Sequence, residues 1–499
     1  MSLRVLLAVV VYVLYLSPVT LTRAGDKTEG TPDPSYVAAV YEHRVILNPE
    51  PHVPLSRDAA LKHMMRNLKV YEEQAARAAE QGAQIIVFPE DGIHGFNFSR
   101  LSISGYLETI PDPLTEDWNP CTQPDRHNHT EVLQSLSCMA RRHQLYLFNT
   151  NVVFRSDGSL AARYHKQNLF FEKEFNTPPR LEVVTFDTPF AGRFGVFTCF
   201  DILFHDPTVR LLEQEGIRQM VYPTAWINTL PLLTAVQFQR AVSLGANVTL
   251  LAANLRHDSK AMTGSGIFTP STSIYHHAFH PPGEPEDGKL LVLRIPVLDS
   301  DWLATQKQAK GQGETGGEEG QLTVCDGPLC CHLQYRRSPQ GGNTELYALG
   351  AFAGNHTVYG RFALQVCALV RCSGSEVSSC GKGVEEAESR VDFRLEGKFG
   401  TRYVYPSMLG SGMVVDRPDL IEKTTDGRVA MEHSGMTVGL VTACLYGRTE
   451  ADEIRQQNTQ VSAPRGNNPT TGEEVVGNVQ EEAQEPEHEE AGHPGQGES

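Results

Sequence analysis

Between Tyr36 and about Pro296 the chain alternates short runs rich in β-branched and aromatic residues with longer stretches whose apolar residues recur at helical spacing. Few architectures satisfy that alternation. Strands separated by helices are brought side by side as a largely parallel sheet, and both faces of such a sheet must be covered. Tyr36–Tyr41 reads as the first strand. Ser56 offers a cap for a helix running to about Glu80, with Asp58 in its first turn and Gly82 just beyond its end. Leu61, Met64, Leu68, Tyr71 and Ala75 fall on one face of that helix. Gln84–Phe88 reads as a short buried strand, Thr130 opens a helix through about Arg142, and Phe194–Phe200 reads as another strand. Asp206-Pro207 then supplies a cap and a first-turn proline for a helix stopped by Gly216. Gln219–Pro223 and Val248–Ala253, with a helix from about Leu232 to Leu244 between them, complete an α/β series spanning 36–300.

What lies outside that series has a different character. Arg4, the short apolar run Val5–Leu16 and the small residues of Thr22-Arg23-Ala24 form the pattern of a signal peptide over 1–24. The run falls short of the ~20 apolar residues that a membrane span needs. An extracellular, secreted destination makes the ten cysteines candidates for disulfides and gives meaning to the Asn-x-Ser/Thr sequons at Asn97, Asn128, Asn247 and Asn355. A polar, glycine-rich stretch reads as a linker over 301–321. From Leu322 to Arg448 the pattern turns to period-two alternation, as in Cys331–Tyr335, Arg361–Val366 and Arg402–Tyr405. Seven cysteines cluster there, so a smaller disulfide-rich β domain is expected over 322–448. The rest, 449–499, is acidic and rich in Gly, Pro and Gln, the composition of a disordered tail with no hydrophobic run for a lipid anchor. Residues 451–499 hold eleven acids against Arg455 and Arg465, so the formal charge of −17 leaves only −8 for the remaining chain. That balance, with no basic stripe, excludes nucleic acid as the natural partner.

Three reactive side chains stand in comparable places: Glu90 after IIVFP, Lys166 within RYHKQNLF and Cys199 after FGVFT. In an open α/β sheet, ligands bind outside the carboxyl ends of the strands, where residues distant in sequence converge. A thiol is a strong nucleophile toward an amide carbonyl once its proton is removed, and a carboxylate in a closed pocket can take that proton and return it to the leaving amine. A lysine ammonium can stabilise the oxyanion of the tetrahedral intermediate. Taken singly, each residue also has an ordinary structural reading: a buried small thiol, a loop cap, a solvated lysine. No metal is expected, because Glu42-His43 lacks a second histidine at helical spacing and His276, His277 and His280 have no carboxylate or cysteine beside them at ligand spacing. Gly264-Ser265-Gly266 lacks the lysine of a phosphate loop, and no cofactor motif is present.

The longer motifs resolve the choice. PEDGIHGFNF (89–98), RYHKQNLF (163–170), GRFGVFTCFDILFHDP (192–207), YPTAW (222–226) and MTGSGIF (262–268) resemble the nitrilase superfamily, and within it the branch containing biotinidase and the vanins, which are pantetheinases. The likeness continues through LCCHLQY (329–335), YALGAF (347–352) and FGTRYVYP (399–406). It implies a nitrilase-type four-layer αββα sandwich followed by the β domain, and a Glu–Lys–Cys triad that falls on Glu90, Lys166 and Cys199. VFPEDGIHGFNF and FDTPFAGRFG, and the missing hydrophobic tail, resemble biotinidase more than the vanins. The implied activity is that of a secreted amidase releasing biotin from biotinyl-lysine (biocytin) or biotinyl peptides through a cysteine thioester. The alternatives are cleavage of pantetheine, or a binding glycoprotein that has lost turnover.

Cys121 and Cys138 flank the Asn128 sequon and could pair with each other. Cys325, Cys330, Cys331, Cys367, Cys372 and Cys380 match cysteines of the family's second domain and could form three bridges among fifteen possible connectivities. Cys444 is left as a buried free thiol, and Cys199 must stay reduced. The chain also departs from the family. Leu145-Tyr146-Leu147 runs directly into Phe148-Asn149-Thr150-Asn151, as though a loop, part of a strand and a cysteine pair were absent, and the stretch after Asp299 is also short. Unpaired buried backbone groups cost ~1–3 kcal/mol each, so the first departure threatens the sheet unless the merged segment rearranges into one strand.

Overall fold

The computed structural model describes residues 34–214, 217–278, 288–298, 318–338, 344–356 and 362–449. The expected signal peptide, most of the linker, nearly all of the acidic tail, and also Gly216 and His280, lie outside the described residues.

The α/β region is built from β1 (Ser35–Arg44), α1 (Arg57–Glu80), β2 (Ile85–Val87), α2 (Glu131–His143), β3 (Tyr146–Asn149), β4 (Val152–Phe154), β5 (Leu160–Arg163), β6 (Val184–Thr188) and β7 (Gly192–Val196). It continues through α3 (Arg210–Glu213), β8 (Gln219–Thr224), α4 (Ala235–Ala246), β9 (Thr249–Arg256), β10 (Ser265–Phe268), β11 (Ser273–His276) and β12 (Lys289–Pro296). The strands run in the order β5-β4-β3-β2-β1-β9-β8-β7-β6, with β10, β11 and β12 joined to β9, β10 and β1 respectively. From β3 to β7 along that order every neighbouring pair is parallel.

Side-chain alternation shows how the layers form. In β1, Tyr36, Ala38 and Val40 join Ile85, Val87, Phe194, Val196, Val221 and Leu251 in one core between the two halves of the sheet. Their neighbours Val37, Ala39 and Tyr41 face the other way, against Met64, Leu68 and Tyr71 of α1 and Leu136 of α2. On the far half, Met220, Tyr222, Leu250 and Ala252 pack against Val236, Phe238 and Val242 of α4. The result is helix, sheet, sheet, helix, the four-layer sandwich expected. Strands buried on both faces lose the clean apolar–polar alternation, which is why these segments read as short apolar runs.

Local signals held well for α1, whose cap Ser56 accepts from the Ala59 amide at 3.3 Å. Several boundaries differ. The helix expected from Leu232 begins at Ala235, because Thr229 and Leu233 pair across a turn containing Pro231, and the Asn228 side chain receives the Ala235 amide at 2.7 Å. The strand expected to reach Phe200 stops at Val196, and Cys199 opens one turn of 3₁₀-helix, Cys199–Leu203.

The shortened stretch at 145–151 does not become one strand. β3 turns back at Thr150-Asn151 into β4, with Asn149 opposite Val152, and Asn151 takes a left-handed conformation (φ 73°), which asparagine adopts more readily than most residues. β3 keeps its parallel register with β2, and the turn is tied down by Tyr164 N–H to Asn151 O at 2.8 Å and by Thr150 Oγ1 to Pro89 O at 3.0 Å. The ladder is thus closed within a shorter element.

The second region is a sandwich of two antiparallel sheets. One contains β13 (Glu319–Asp326), β14 (Leu329–Arg337), β17 (Val391–Lys398), β20 (Leu420–Lys423) and β21 (Arg428–His433); the other contains β15 (Tyr347–His356), β16 (Phe362–Arg371), β18 (Val404–Gly410), β19 (Val414–Val415) and β22 (Leu440–Arg448). β13 begins at Glu319, inside the stretch read as linker, because Gly320 and Gln321 pair with Tyr335 and Gln334 of β14. Cys331, Cys367, Leu369, Phe393, Leu395 and Leu445 fill the space between the sheets. The second sheet is also covered on its outer face. Phe362, Leu364, Val366, Tyr405 and Tyr446 share one core with Trp226, Val236 and Phe238 of the α/β region. Four disulfides form: Cys121–Cys138, Cys325–Cys330, Cys331–Cys367 and Cys372–Cys380. Cys199 and Cys444 are free and buried.

Candidate active site

Glu90, Lys166 and Cys199 each follow the carboxyl end of a strand, β2, β5 and β7, and all three are nearly closed off, at 3%, 7% and 6% exposure. The loop after β2 passes so close to α1 that a Cβ on Gly92 would lie 2.0 Å from the Tyr71 hydroxyl oxygen, so only glycine fits. One Glu90 oxygen accepts from Lys166 Nζ at 2.8 Å and the other from the Ala225 amide at 3.1 Å, just past β8. Lys166 Nζ also donates to Glu172 Oε1 at 2.6 Å, and Glu172 Oε2 is held by the Phe170 amide at 2.7 Å. Glu172 escaped the sequence reading. It lies in the loop FFEKEF, where a carboxylate shows no periodicity that would separate it from a solvated one.

Three residues here occupy left-handed backbone conformations that side chains disfavour: Cys199 itself (φ 47°), Asp91 next to Glu90 (φ 56°) and Phe171 next to Glu172 (φ 57°). Such strain, of order 1–3 kcal/mol per residue, gathers at functional sites. At Cys199 it is held by the turn that follows. Asp201 Oδ2 accepts from the Thr198 amide at 3.1 Å and Tyr164 Oη at 2.6 Å, while Oδ1 accepts from the Asn168 amide at 2.8 Å and its Nδ2 at 2.9 Å. Tyr222 Oη donates to the Cys199 carbonyl at 3.0 Å.

The electrostatics follow from one cation among several buried acids. Burial alone would lower the pKa of the Lys166 ammonium, but Glu90, Cys199 and Glu172 outweigh it and hold the lysine firmly protonated. Burial, then Glu90, push the Glu172 carboxyl up, and burial with Glu90 and Glu172 push Asp91 well above the carboxylate range. Burial and the negative charge of Glu90 also hold the Cys199 thiol well above its ordinary value, against Lys166 and the Thr224 hydroxyl. The resting sulfur is therefore a thiol, and an attack on a carbonyl needs a base in place to take its proton. Two cavities are lined by these residues, one of 120 Å³ by Cys199, Phe200 and Trp226, and one of 270 Å³ by Glu90, Lys166, Glu172 and Asn149–Asn151. Among the described residues no three His, Cys, Asp or Glu side chains gather as a metal site requires.

Residues 56–256 match the family model of the carbon-nitrogen hydrolases, and residues 307–453 match that of the vanin C-terminal domain. A biotinidase from Takifugu rubripes is 57% identical over 479 positions, which cover 83% of this chain and 94% of the relative. The chain belongs to the biotinidase–vanin branch of the nitrilase superfamily. It is a carbon-nitrogen hydrolase. Other members are a biotinidase from Bos taurus, 43% identical over 502 positions (86% of this chain, 95% of the relative), and a pantetheinase from Bos taurus, 42% identical over 463 positions (83% and 89%). An alignment of 502 positions is longer than the 499-residue chain, so this relative carries positions that the chain lacks.

Proposed function

We propose that the chain hydrolyses the amide of biotinyl-lysine and biotinyl peptides, with Cys199 as nucleophile, Glu90 as proton carrier and Lys166 as the oxyanion's counter-charge. The observation that carries this reading is the bridge from Lys166 Nζ to both Glu90 and Glu172, in a closed site beside a thiol on a strained turn. As Cys199 Sγ attacks the carbonyl carbon, its proton passes to the Glu90 carboxylate and the oxyanion forms near the ammonium. Collapse breaks the C–N bond and Glu90 returns the proton to the departing amine, leaving a thioester. Water then attacks the thioester, Glu90 takes the water's proton, and the thiol and a carboxylic acid are released. No metal or cofactor takes part. The vitamin is assigned on the relatives named biotinidase.

Residues 36–300 serve as the catalytic domain and 322–448 as the supporting β domain. The pattern at 1–24 and the four disulfides support a secreted protein, since such bridges persist in oxidising compartments. No helix of the described residues is long and apolar enough to cross a membrane.

The test is a side-by-side assay of biocytin and pantetheine on wild type and Cys199→Ala. Biotin release that Cys199→Ala abolishes is expected. Release of cysteamine alone would reassign the substrate, and no turnover of either would leave a binding protein.

A further inference from the structure

The two cavities lined by the reacting groups differ in chemistry. The one that Cys199 lines is walled by Phe170, Phe200, Leu203 and Trp226, and the second domain contributes to its lining through His356 at the end of β15 and Phe362 at the start of β16. The one that Glu90 and Lys166 line is mixed: Asp91, His94 and Asn151 share it with apolar side chains such as Met64, Leu133 and Phe175, so it differs from the first by its charged groups. Bond formation at Sγ places the acyl group on the thiol's side, and protonation by Glu90 places the amine on the carboxylate's side. We propose that the apolar cavity is the acyl subsite, that Phe362 and His356 of the β domain determine which acyl groups fit it, and that the cavity carrying the charged groups receives the amine. This rests on the reading above.

The wall is built to hold its shape. Phe362 is buried at 2% exposure and meets Phe200 edge-on at 6.4 Å between ring centres and Phe204 at 5.5 Å. The His356 ring lies 4.9 Å from it, and the Arg448 guanidinium sits 5.9 Å from both Phe204 and Phe362. β16 pairs with β15 and β22 on its two edges, and its Cys367 is bonded to Cys331 of the opposite sheet. A biotinyl amide suits the division, because its acyl half is mostly apolar and its lysine half carries the charges. Pantetheine has the reverse polarity, a hydroxylated acyl half and a small amine.

The experiment uses full-length wild type, Phe362→Leu and His356→Phe on Nε-acetyl-, Nε-hexanoyl- and Nε-biotinyl-lysine, which share one amine. The expected result is a fall of about 10-fold in the ratio of kcat/KM for the biotinyl over the acetyl substrate, the scale on which a pocket discriminates by small changes of apolar fit. Thermal unfolding identifies a variant that has lost its fold, and the two substitutions lie on different strands. An equal fall on all three substrates, or an unchanged ratio in both folded variants, overturns the proposal. Wild type that cleaves pantetheine but no biotinyl-lysine defeats the proposed function alone. The same ratio is then taken between pantetheine and N-acetylcysteamine, which again share one amine. Wild type that cleaves none of these amides overturns both.

Discussion

Tyr164 donates its hydroxyl to Asp201 at 2.6 Å, and through this contact the segment bearing Lys166 is fastened to the turn bearing Cys199. Asn168 repeats the link from two residues beyond the lysine, with both its amide and its side chain on the other Asp201 oxygen. Asp201 touches neither the thiol nor the ammonium, so it acts by holding both in place.

Asp201→Ala leaves these buried donors without an acceptor. At ~1–3 kcal/mol for each orphaned group, a loss of about 3 kcal/mol or more is expected in chemical denaturation. A misplacement of about 1 Å can cost 10²-fold in rate, so kcat falls by about that factor while Tyr164→Phe, which removes one donor, costs about 1 kcal/mol. A folded Asp201→Ala variant with wild-type kcat would show that the turn aims Cys199 without it.

Lys166→Met removes the cation between Glu90 and Glu172. Breaking a buried ion pair by deleting one partner costs about 3–5 kcal/mol, and here two carboxylates then face each other. Turnover should be lost and stability should fall at neutral pH, with recovery as acid protonates the pair. Denaturation midpoints at pH 5 and pH 8 measure this. A variant equally stable at both would mean that the acids already share a proton.

Glu42 is wholly buried beneath the hydroxyls of Thr263 and Ser265 and the Gly264 amide, and burial raises its pKa to about 7. A carboxyl whose folded pKa lies above its unfolded value binds its proton more tightly when folded. Its contribution is complete below about 4.5 and is lost as pH rises through about 7. The wild-type stability curve should therefore fall across that window, by on the order of 3 kcal/mol from this group, and Glu42→Gln should flatten it. Equal slopes in the two proteins would count against a protonated Glu42.

Asn97, Asn128 and Asn355 are exposed, whereas Asn247 caps α4 in a left-handed conformation with its side-chain nitrogen buried. Peptide mass spectrometry of protein secreted from eukaryotic cells should find glycans on the first three and none on Asn247. Occupancy at Asn247 would require that helix end to open before the modification.

The sequence alone determined what depends on neighbours within a turn or two. The α/β alternation, the Ser56-capped helix and the change to a β domain were all legible, because hydrogen-bond periodicity and capping act over a few residues. The longer motifs supplied Glu90, Lys166 and Cys199 by resemblance. Only the tertiary structure decided that Glu172 joins them, that Cys199 leaves its strand for a left-handed turn, and that 145–151 closes as a hairpin. It alone placed His356 and Phe362 on the wall beside the thiol. The reason is range: Lys166 meets Glu90 across 76 positions and Arg448 reaches the Ile202 carbonyl across 246, separations bridged only once the sheets have paired and two domains share one core.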